Sequence, residues 1–127
     1  MTENKNILIL IVEDEVKLVK AIEAQLIKSG FVVHVAVDGQ EALDFCKYHT
    51  PDFVLLDLLL PKVHGLEFLK KIREKPLLKN VPVMILTNLT DDNVMVEAKQ
   101  LGIVGYLIKS NVKLATIVEE IRDYFKL

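Results

Sequence analysis

The feature that most constrains the fold is a series of five short apolar runs, separated by stretches with helical periodicity. Several runs are continuous rather than alternating, which is typical of parallel strands buried on both faces of a sheet. The predicted strands are residues 7–12, 31–37, 53–57, 83–87 and 104–108. All are far shorter than the roughly 20 apolar residues of a membrane-spanning helix, so we expect no contact with a membrane.

Between these runs, apolar residues recur at intervals of three and four, as on one face of a helix. The first stretch places Val19, Ile22 and Leu26 on one stripe, and Ser29-Gly30 ends it because glycine readily adopts the conformation of a helix C-terminus. Further helices are predicted near residues 40–48, 66–72, 91–101 and 114–125. Five strand–helix units predict an α/β fold, a doubly wound, five-stranded parallel sheet with helices on both faces. We expect a single domain over residues 1–127, with no effector domain in this chain.

Charge and cysteine content exclude several classes of function. The 18 acidic and 16 basic residues give a net charge of −2, which does not support direct nucleic-acid binding. A single cysteine, Cys46, excludes an internal disulfide, and three dispersed histidines argue against a zinc cluster. Residues 1–6 are polar and lack the apolar core of a secretion signal. We therefore expect a cytoplasmic protein.

Polar residues stand at the ends of four predicted strands. Glu13 and Asp14 follow the first, Asp57 ends the third, Thr87 ends the fourth and Lys109 follows the fifth. The carboxyl ends of parallel strands lie at one edge of a sheet, where ligands bind at the point of reversed strand order. Three carboxylates, a hydroxyl and an ammonium group should therefore converge there.

This set of groups favours phosphoryl transfer. Clustered carboxylates repel one another unless a cation neutralises them, and hard oxygen ligands suit Mg²⁺. Phosphoryl transfer depends on positioning and charge neutralisation, and Asp57 would attack phosphorus to form an acyl phosphate. Taken singly, Glu13 and Asp14 could instead be acids at a helix N-terminus, and Thr87 an ordinary strand end.

Several segments resemble the response regulator receiver family over essentially the whole chain. Glu13-Asp14 follows an aliphatic strand, Asp57 lies in a segment that runs from Pro51 to Pro61, and Gly65 stands eight residues after Asp57. The remaining matches are Leu86-Thr87 and the segment from Gly105 to Lys109. The resemblance implies the strand order 2-1-3-4-5 and a role in two-component or phosphorelay signalling.

The resemblance also implies roles for individual residues. Asp57 is the phosphoacceptor, with Thr87 and Lys109 as its catalytic partners. Thr87 and Tyr106 form the switch pair, in which the aromatic ring turns inward as Thr87 moves toward the phosphate. The implied ligands of Mg²⁺ are Glu13, Asp14, Asp57 and the backbone carbonyl of Leu59.

The resemblance implies partners as well. The phosphoryl group would come from a phosphohistidine of a sensor histidine kinase or a phosphotransfer protein. A downstream protein, or an effector domain of a longer protein, would read the face formed by the fourth helix, fifth strand and fifth helix. Phosphorylation could also drive dimerisation, and Met95 and Val96 are candidates for an exposed patch or for ordinary packing. Such a domain catalyses its own phosphorylation and dephosphorylation but is primarily a signalling switch.

Four residues depart from the usual family pattern or affect how long the phosphate survives. Ser110 stands where the family usually has proline, so we expect a trans peptide after Lys109. Asn88 is larger than the small residue that often follows the threonine. Leu59 and Leu89 are apolar and cannot orient a water molecule, which predicts slow loss of the phosphoryl group.

Three alternatives remain open at this point. A receiver-like module could bind a partner without taking phosphate. A flavodoxin-like cofactor binder would share the fold but needs a phosphate-binding loop after the first strand, where Glu13, Asp14 and Glu15 would repel phosphate. A phosphatase of the haloacid dehalogenase type would need an Asp-x-Asp arrangement there, which the sequence lacks.

Overall fold

The apolar runs form five parallel strands in the computed structural model, which describes residues 6–127. The absence of a secretion signal is predicted from residues 1–6. Residues 1–5 lie outside the described residues. The strands are β1 Leu8–Val12, β2 Val32–Ala36, β3 Phe53–Leu56, β4 Val83–Thr87 and β5 Gly105–Ile108. The helices are α1 Val16–Lys28, α2 Gly39–Cys46, α3 Gly65–Arg73, α4 Asp92–Gln100 and α5 Leu114–Tyr124. A short 3-10 helix, Lys109–Asn111, follows β5.

The strand order is β2-β1-β3-β4-β5, which confirms the doubly wound topology implied by the family resemblance. Val12 pairs with Ala36 on one side and Leu56 on the other, so β1, β2 and β3 end in line. The direction of winding reverses between β1 and β3, where ligands of such sheets bind. The residues that follow Val12 and Leu56 therefore leave the sheet side by side.

Successive strand residues point to opposite faces, and each face is buried by its own helices. Helix α1 lies next to α5, and α3 lies next to both α2 and α4. The predicted stripe Val19, Ile22 and Leu26 is buried in the core beneath α1 and α5. That core takes from the sheet Ile9, Ile11, Phe53, Leu55, Met84 and Leu86. The core on the other face takes Leu10, Val12, Val54, Leu56, Val83 and Ile85.

Gly65 explains how the loop after β3 is held close to the sheet. Its amide donates to the Leu58 carbonyl at 3.2 Å. A Cβ atom at this position would collide with the Asp57 carbonyl oxygen and approach the Leu58 Cα to 2.7 Å. Only glycine therefore allows α3 to begin this close to the end of β3.

Within residues 6–127, no helix has both the length and the apolar character needed to cross a bilayer.

Candidate functional site

Asp57, predicted as the last residue of the third strand, is the first residue after β3, because strand pairing ends at Leu56. Its amide donates to the Val12 carbonyl at 3.0 Å, which fixes it beside the end of β1. The residue is only 3% exposed. Its carboxylate is oriented by two bonds, from the Leu59 amide to Oδ1 at 3.0 Å and from the Lys109 Nζ to Oδ2 at 2.8 Å.

Lys109 reaches across the sheet edge to several carboxylates. Besides Asp57, its Nζ donates to Glu13 Oε2 at 2.9 Å and lies 3.4 Å from Glu15 Oε1. Burial by itself would lower the pKa of Lys109, but the hydrogen bonds to Asp57 and Glu13 outweigh burial and raise it. The ammonium group therefore stays charged and acts as a fixed counterion. The family resemblance implies the contact with Asp57, whereas the contact with Glu13 is seen only in the structure.

Glu13 is buried next to this ammonium group. It is 2% exposed, and its Oε2 also accepts a hydrogen bond from the Glu15 amide at 3.0 Å. Burial raises the pKa of Glu13 and the negative charge of Asp57 adds to this, while the bond from Lys109 opposes it. The Lys109 ammonium alone therefore does not offset the burial of the Glu13 carboxylate and the nearby charge of Asp57.

The acidic residues fit a divalent cation. Carboxylate oxygens of Glu13, Asp14 and Asp57 lie within 4.8 Å of one another. Glu13 Oε1 is 2.8 Å from the Lys109 Nζ, yet it is buried and makes no hydrogen bond within the described part of the chain. Three clustered carboxylates that share one lysine as counterion offer the hard oxygen ligands that suit Mg²⁺. The role of the Leu59 carbonyl stays a prediction.

The two expected switch residues meet at the peptide groups on either side of Leu89. Thr87 is fully buried, and its Oγ1 accepts a hydrogen bond from the Leu89 amide at 3.3 Å. The Tyr106 hydroxyl donates to the Leu89 carbonyl at 2.7 Å. Burial raises the pKa of Tyr106, and the charges of Asp57 and Asp91 add to the effect. The tyrosine therefore remains a neutral donor in the loop between β4 and α4.

The unusual residues Asn88 and Ser110 contact each other, which sequence analysis did not predict. The Ser110 amide donates to Asn88 Oδ1 at 2.9 Å. Residues 6–127 contain no cis peptide bond, so the expected trans peptide after Lys109 is confirmed. A proline at position 110 would have no amide hydrogen for this bond.

Leu59 and Leu89 line the same side of the site. Both border an open cavity of about 450 Å³ between the β3–α3 loop, α3 and the start of α4. Leu59 is 51% exposed, and the rest of the wall is mixed, with apolar Leu58, Leu66 and Val94 and polar His64, Glu67 and Lys70. The slow loss of the phosphoryl group expected from these two leucines stays a prediction.

Other residues considered in the sequence lie away from the sheet edge. His34 stacks on Phe45 of α2 with ring centroids 3.9 Å apart. Cys46 is buried, and burial raises the pKa of its thiol to about 11. Val96 is 54% exposed while Met95 is half-buried, so of these two candidates for an exposed patch Val96 is the one that lies openly on the surface of α4.

Comparison with known proteins identifies the family. The family model described as the response regulator receiver domain matches residues 9–122. Response regulator ArlR of Staphylococcus aureus is 37% identical over 101 residues, which is 80% of this chain and 45% of that protein. The chain thus spans about half the length of the curated relatives it matches.

Solved structures agree with this match. The Mn²⁺-bound form of response regulator Rcp1 is 29% identical, has a TM-score of 0.82 and covers 93% of each chain. The phosphorylated cyanobacterial phytochrome response regulator RcpA is 30% identical with a TM-score of 0.80, over 92% of this chain and 91% of that one. A response regulator from Chloroflexus aurantiacus is 29% identical with a TM-score of 0.83, over 94% and 97% of the two chains. Receivers of this family generally bind Mg²⁺ in an acidic pocket and work with histidine kinases or phosphotransfer proteins. The fold, the acidic sheet edge and these matches together show that the chain belongs to the response regulator receiver domain family.

Proposed function

We propose that Asp57 accepts a phosphoryl group from a phosphohistidine of a sensor histidine kinase or a phosphotransfer protein. The observation that carries the proposal is the Asp57 carboxylate itself, 3% exposed and bonded to the Lys109 ammonium at 2.8 Å. Burying a carboxylate with its counterion carries a desolvation cost, which favours a functional reason for a charged pair at this position. Here the carboxylate stands among the groups that phosphoryl transfer requires, with Glu13 and Asp14 beside it.

The proposed step is a displacement at phosphorus. A carboxylate oxygen of Asp57 forms the new P–O bond while the P–N bond of the phosphohistidine breaks and the imidazole nitrogen keeps the electron pair. Lys109 neutralises charge on the phosphoryl oxygens, and the Thr87 hydroxyl donates to one of them. The Leu59 amide keeps the carboxylate oriented during the transfer.

We propose Mg²⁺ as the cation, held by Glu13, Asp14, Asp57 and the Leu59 carbonyl. The closeness of three carboxylates, whose oxygens lie within 4.8 Å of one another beside the single charge of Lys109, supports this assignment. When bound, the ion supplies positive charge that neutralises the phosphoryl oxygens. Response regulator Rcp1, which has the same fold, has a Mn²⁺-bound form, and this supports a divalent cation here.

We propose that the switch acts through Leu89. The Thr87 hydroxyl would donate to a phosphoryl oxygen, and movement of Thr87 toward the phosphate would stretch the bond that its Oγ1 accepts from the Leu89 amide. Losing that bond would change the loop that the Tyr106 hydroxyl holds at the Leu89 carbonyl. The added negative charge thus biases the conformation of α4, β5 and α5.

We propose that this α4–β5–α5 face transmits the signal. A separate protein, an effector domain of a longer protein or a second phosphorylated copy would read it, and Val96 supplies an exposed apolar contact. We further propose one receiver domain over residues 1–127, a cytoplasmic location and no direct nucleic-acid contact, on the basis of the near-balanced charge. Self-dephosphorylation at Asp57 would reset the switch.

Intact mass after incubation with acetyl phosphate and Mg²⁺ tests the phosphoryl transfer. We expect one phosphoryl adduct on the parent chain, lost when EDTA removes the cation. Asp57→Asn should take none, whereas Asp123→Asn, which changes an exposed aspartate on α5, should be labelled like the parent. A parent chain that gains no mass under these conditions rules the proposal out.

A further inference from the structure

A side-chain hydrogen bond joins the two loops that carry Thr87 and Lys109. Asn88 directly follows Thr87, and Ser110 directly follows Lys109. The Ser110 amide donates to Asn88 Oδ1 at 2.9 Å. Pairing between β4 and β5 ends where Thr87 lies opposite Ile108, so the bond lies just beyond the last strand pair. It connects the two loops at the point where backbone pairing no longer does.

The bond also stabilises the start of the 3-10 helix. That helix spans only Lys109–Asn111, and the first amides of a helix have no acceptor within it. Asn88 supplies the acceptor for one of them. The backbone of Lys109 is therefore fixed on one side by β5 and on the other by this amide bond.

The position of this backbone decides where the lysine ammonium group lies. The Nζ must remain 2.8 Å from Asp57 Oδ2 and 2.9 Å from Glu13 Oε2. A lysine side chain has four flexible methylene groups, so a fixed backbone reduces the number of conformations available to it. Displacements of about 1 Å at reacting groups can change rates by about 100-fold.

We propose that Asn88 is a positioning residue for phosphoryl transfer and acts through the Ser110 amide on Lys109. The bond also links any movement of the Thr87 loop to the turn that begins at Lys109. This inference rests on the proposed phosphorylation of Asp57. It adds a residue that has no contact with the phosphoryl group and works by holding one that does.

The test compares Asn88→Ala with the parent chain in Mg²⁺ with a small phosphodonor such as phosphoramidate. Loss of one hydrogen bond's contribution should slow the maximal phosphorylation rate about 2- to 10-fold. The donor concentration at half-maximal rate should stay unchanged, because Asn88 does not bind the donor. Thr90→Ala, in the same loop, is the matched control and should react like the parent.

Ser110→Pro tests whether Asn88 acts through the Ser110 amide, because proline removes that donor. In the Ser110→Pro background, Asn88→Ala should cause no further slowing. Equal slowing in both backgrounds would show that Asn88 acts directly at the phosphoryl site and would overturn the inference. An Asn88→Ala variant as fast as the parent would overturn it too.

Hydrogen exchange at the Ser110 amide separates this inference from the proposed function. In the absence of any phosphodonor, exchange should be faster in Asn88→Ala than in the parent, and unchanged in Thr90→Ala. Unchanged exchange in Asn88→Ala means that the bond does not form, which contradicts the inference alone. A parent chain that takes no phosphoryl group contradicts the proposed function first, and the positioning role with it.

Discussion

Replacing Lys109 with methionine would remove the charge at the centre of the site while keeping most of the side-chain volume. In the parent, the Lys109 Nζ lies 2.8 Å from Asp57 Oδ2 and 2.9 Å from Glu13 Oε2. Asp57 is 3% exposed and Glu13 is 2% exposed. Lys109→Met therefore leaves two buried carboxylates without their counterion, and we expect a large loss of stability.

The size of this loss follows from the two broken contacts. A hydrogen bond to a charged group contributes about 1.5–3 kcal/mol, and removing one partner of a buried ion pair costs about 3–5 kcal/mol. Asp14 and Glu15 are exposed at the rim, so water has access to part of the site. We therefore expect the free energy of unfolding to fall by about 3 kcal/mol, at the lower end of that range.

Urea unfolding followed by circular dichroism in EDTA measures this change. Lys113→Met is the matched control, since Lys113 is exposed and lies four residues further along the same segment. It should change stability by less than about 0.5 kcal/mol. Mg²⁺ should reduce the difference in free energy of unfolding between Lys109→Met and the parent, because a cation replaces the missing charge. If Lys109→Met is no less stable than Lys113→Met in EDTA, the buried counterion role is refuted.

Three further outcomes follow from other parts of the structure. Arg73→Gln should lower the free energy of unfolding in urea by about 2 kcal/mol, because the guanidinium donates to the carbonyls of Leu101 and Gly102, each at 2.7 Å. Arg122→Gln, at an exposed arginine, is the control, and an equal loss of stability in the two variants would contradict this. Burial raises the pKa of the Cys46 thiol from 9.0 to about 11, so alkylation of the native chain should remain slow until the pH nears 11. The free energy of unfolding should fall as the pH rises from 9 toward 11, because the thiol of the unfolded chain loses its proton first. Rapid alkylation of the folded protein at pH 8 would contradict this. Leu59→Asn should hasten loss of the phosphoryl group about 2- to 10-fold by orienting water, measured as decay of the phosphorylated mass; decay no faster than in the parent would count against it.

The fold could be predicted because its signals are local. Continuous aliphatic runs such as the one that became β1 have few alternatives to a buried parallel strand. The stripe of Val19, Ile22 and Leu26 likewise determines which side of α1 is buried. Phe68 of α3 and Ile117 of α5 are also buried. Each lies on a helix packed against both the sheet and a neighbouring helix, so a wider arc of its surface is covered.

The candidate site could be predicted at the level of residues but not of contacts. Strand ends share an edge, which brings Asp57 and Lys109 together although 52 residues separate them. Which atoms meet depends on side-chain length and loop geometry. Those features decide that Lys109 also binds Glu13, and that Asn88 accepts from the Ser110 amide. No spacing rule along the chain predicts such bonds.

The most direct test of the central claim is to locate the phosphoryl group chemically. Reduction of the phosphorylated chain with borohydride converts an aspartyl phosphate to homoserine, and peptide mass spectrometry then finds the altered residue. The account predicts homoserine at position 57, with Glu13 and Asp14 unaltered. An altered residue elsewhere, with Asp57 intact in the labelled protein, would contradict it.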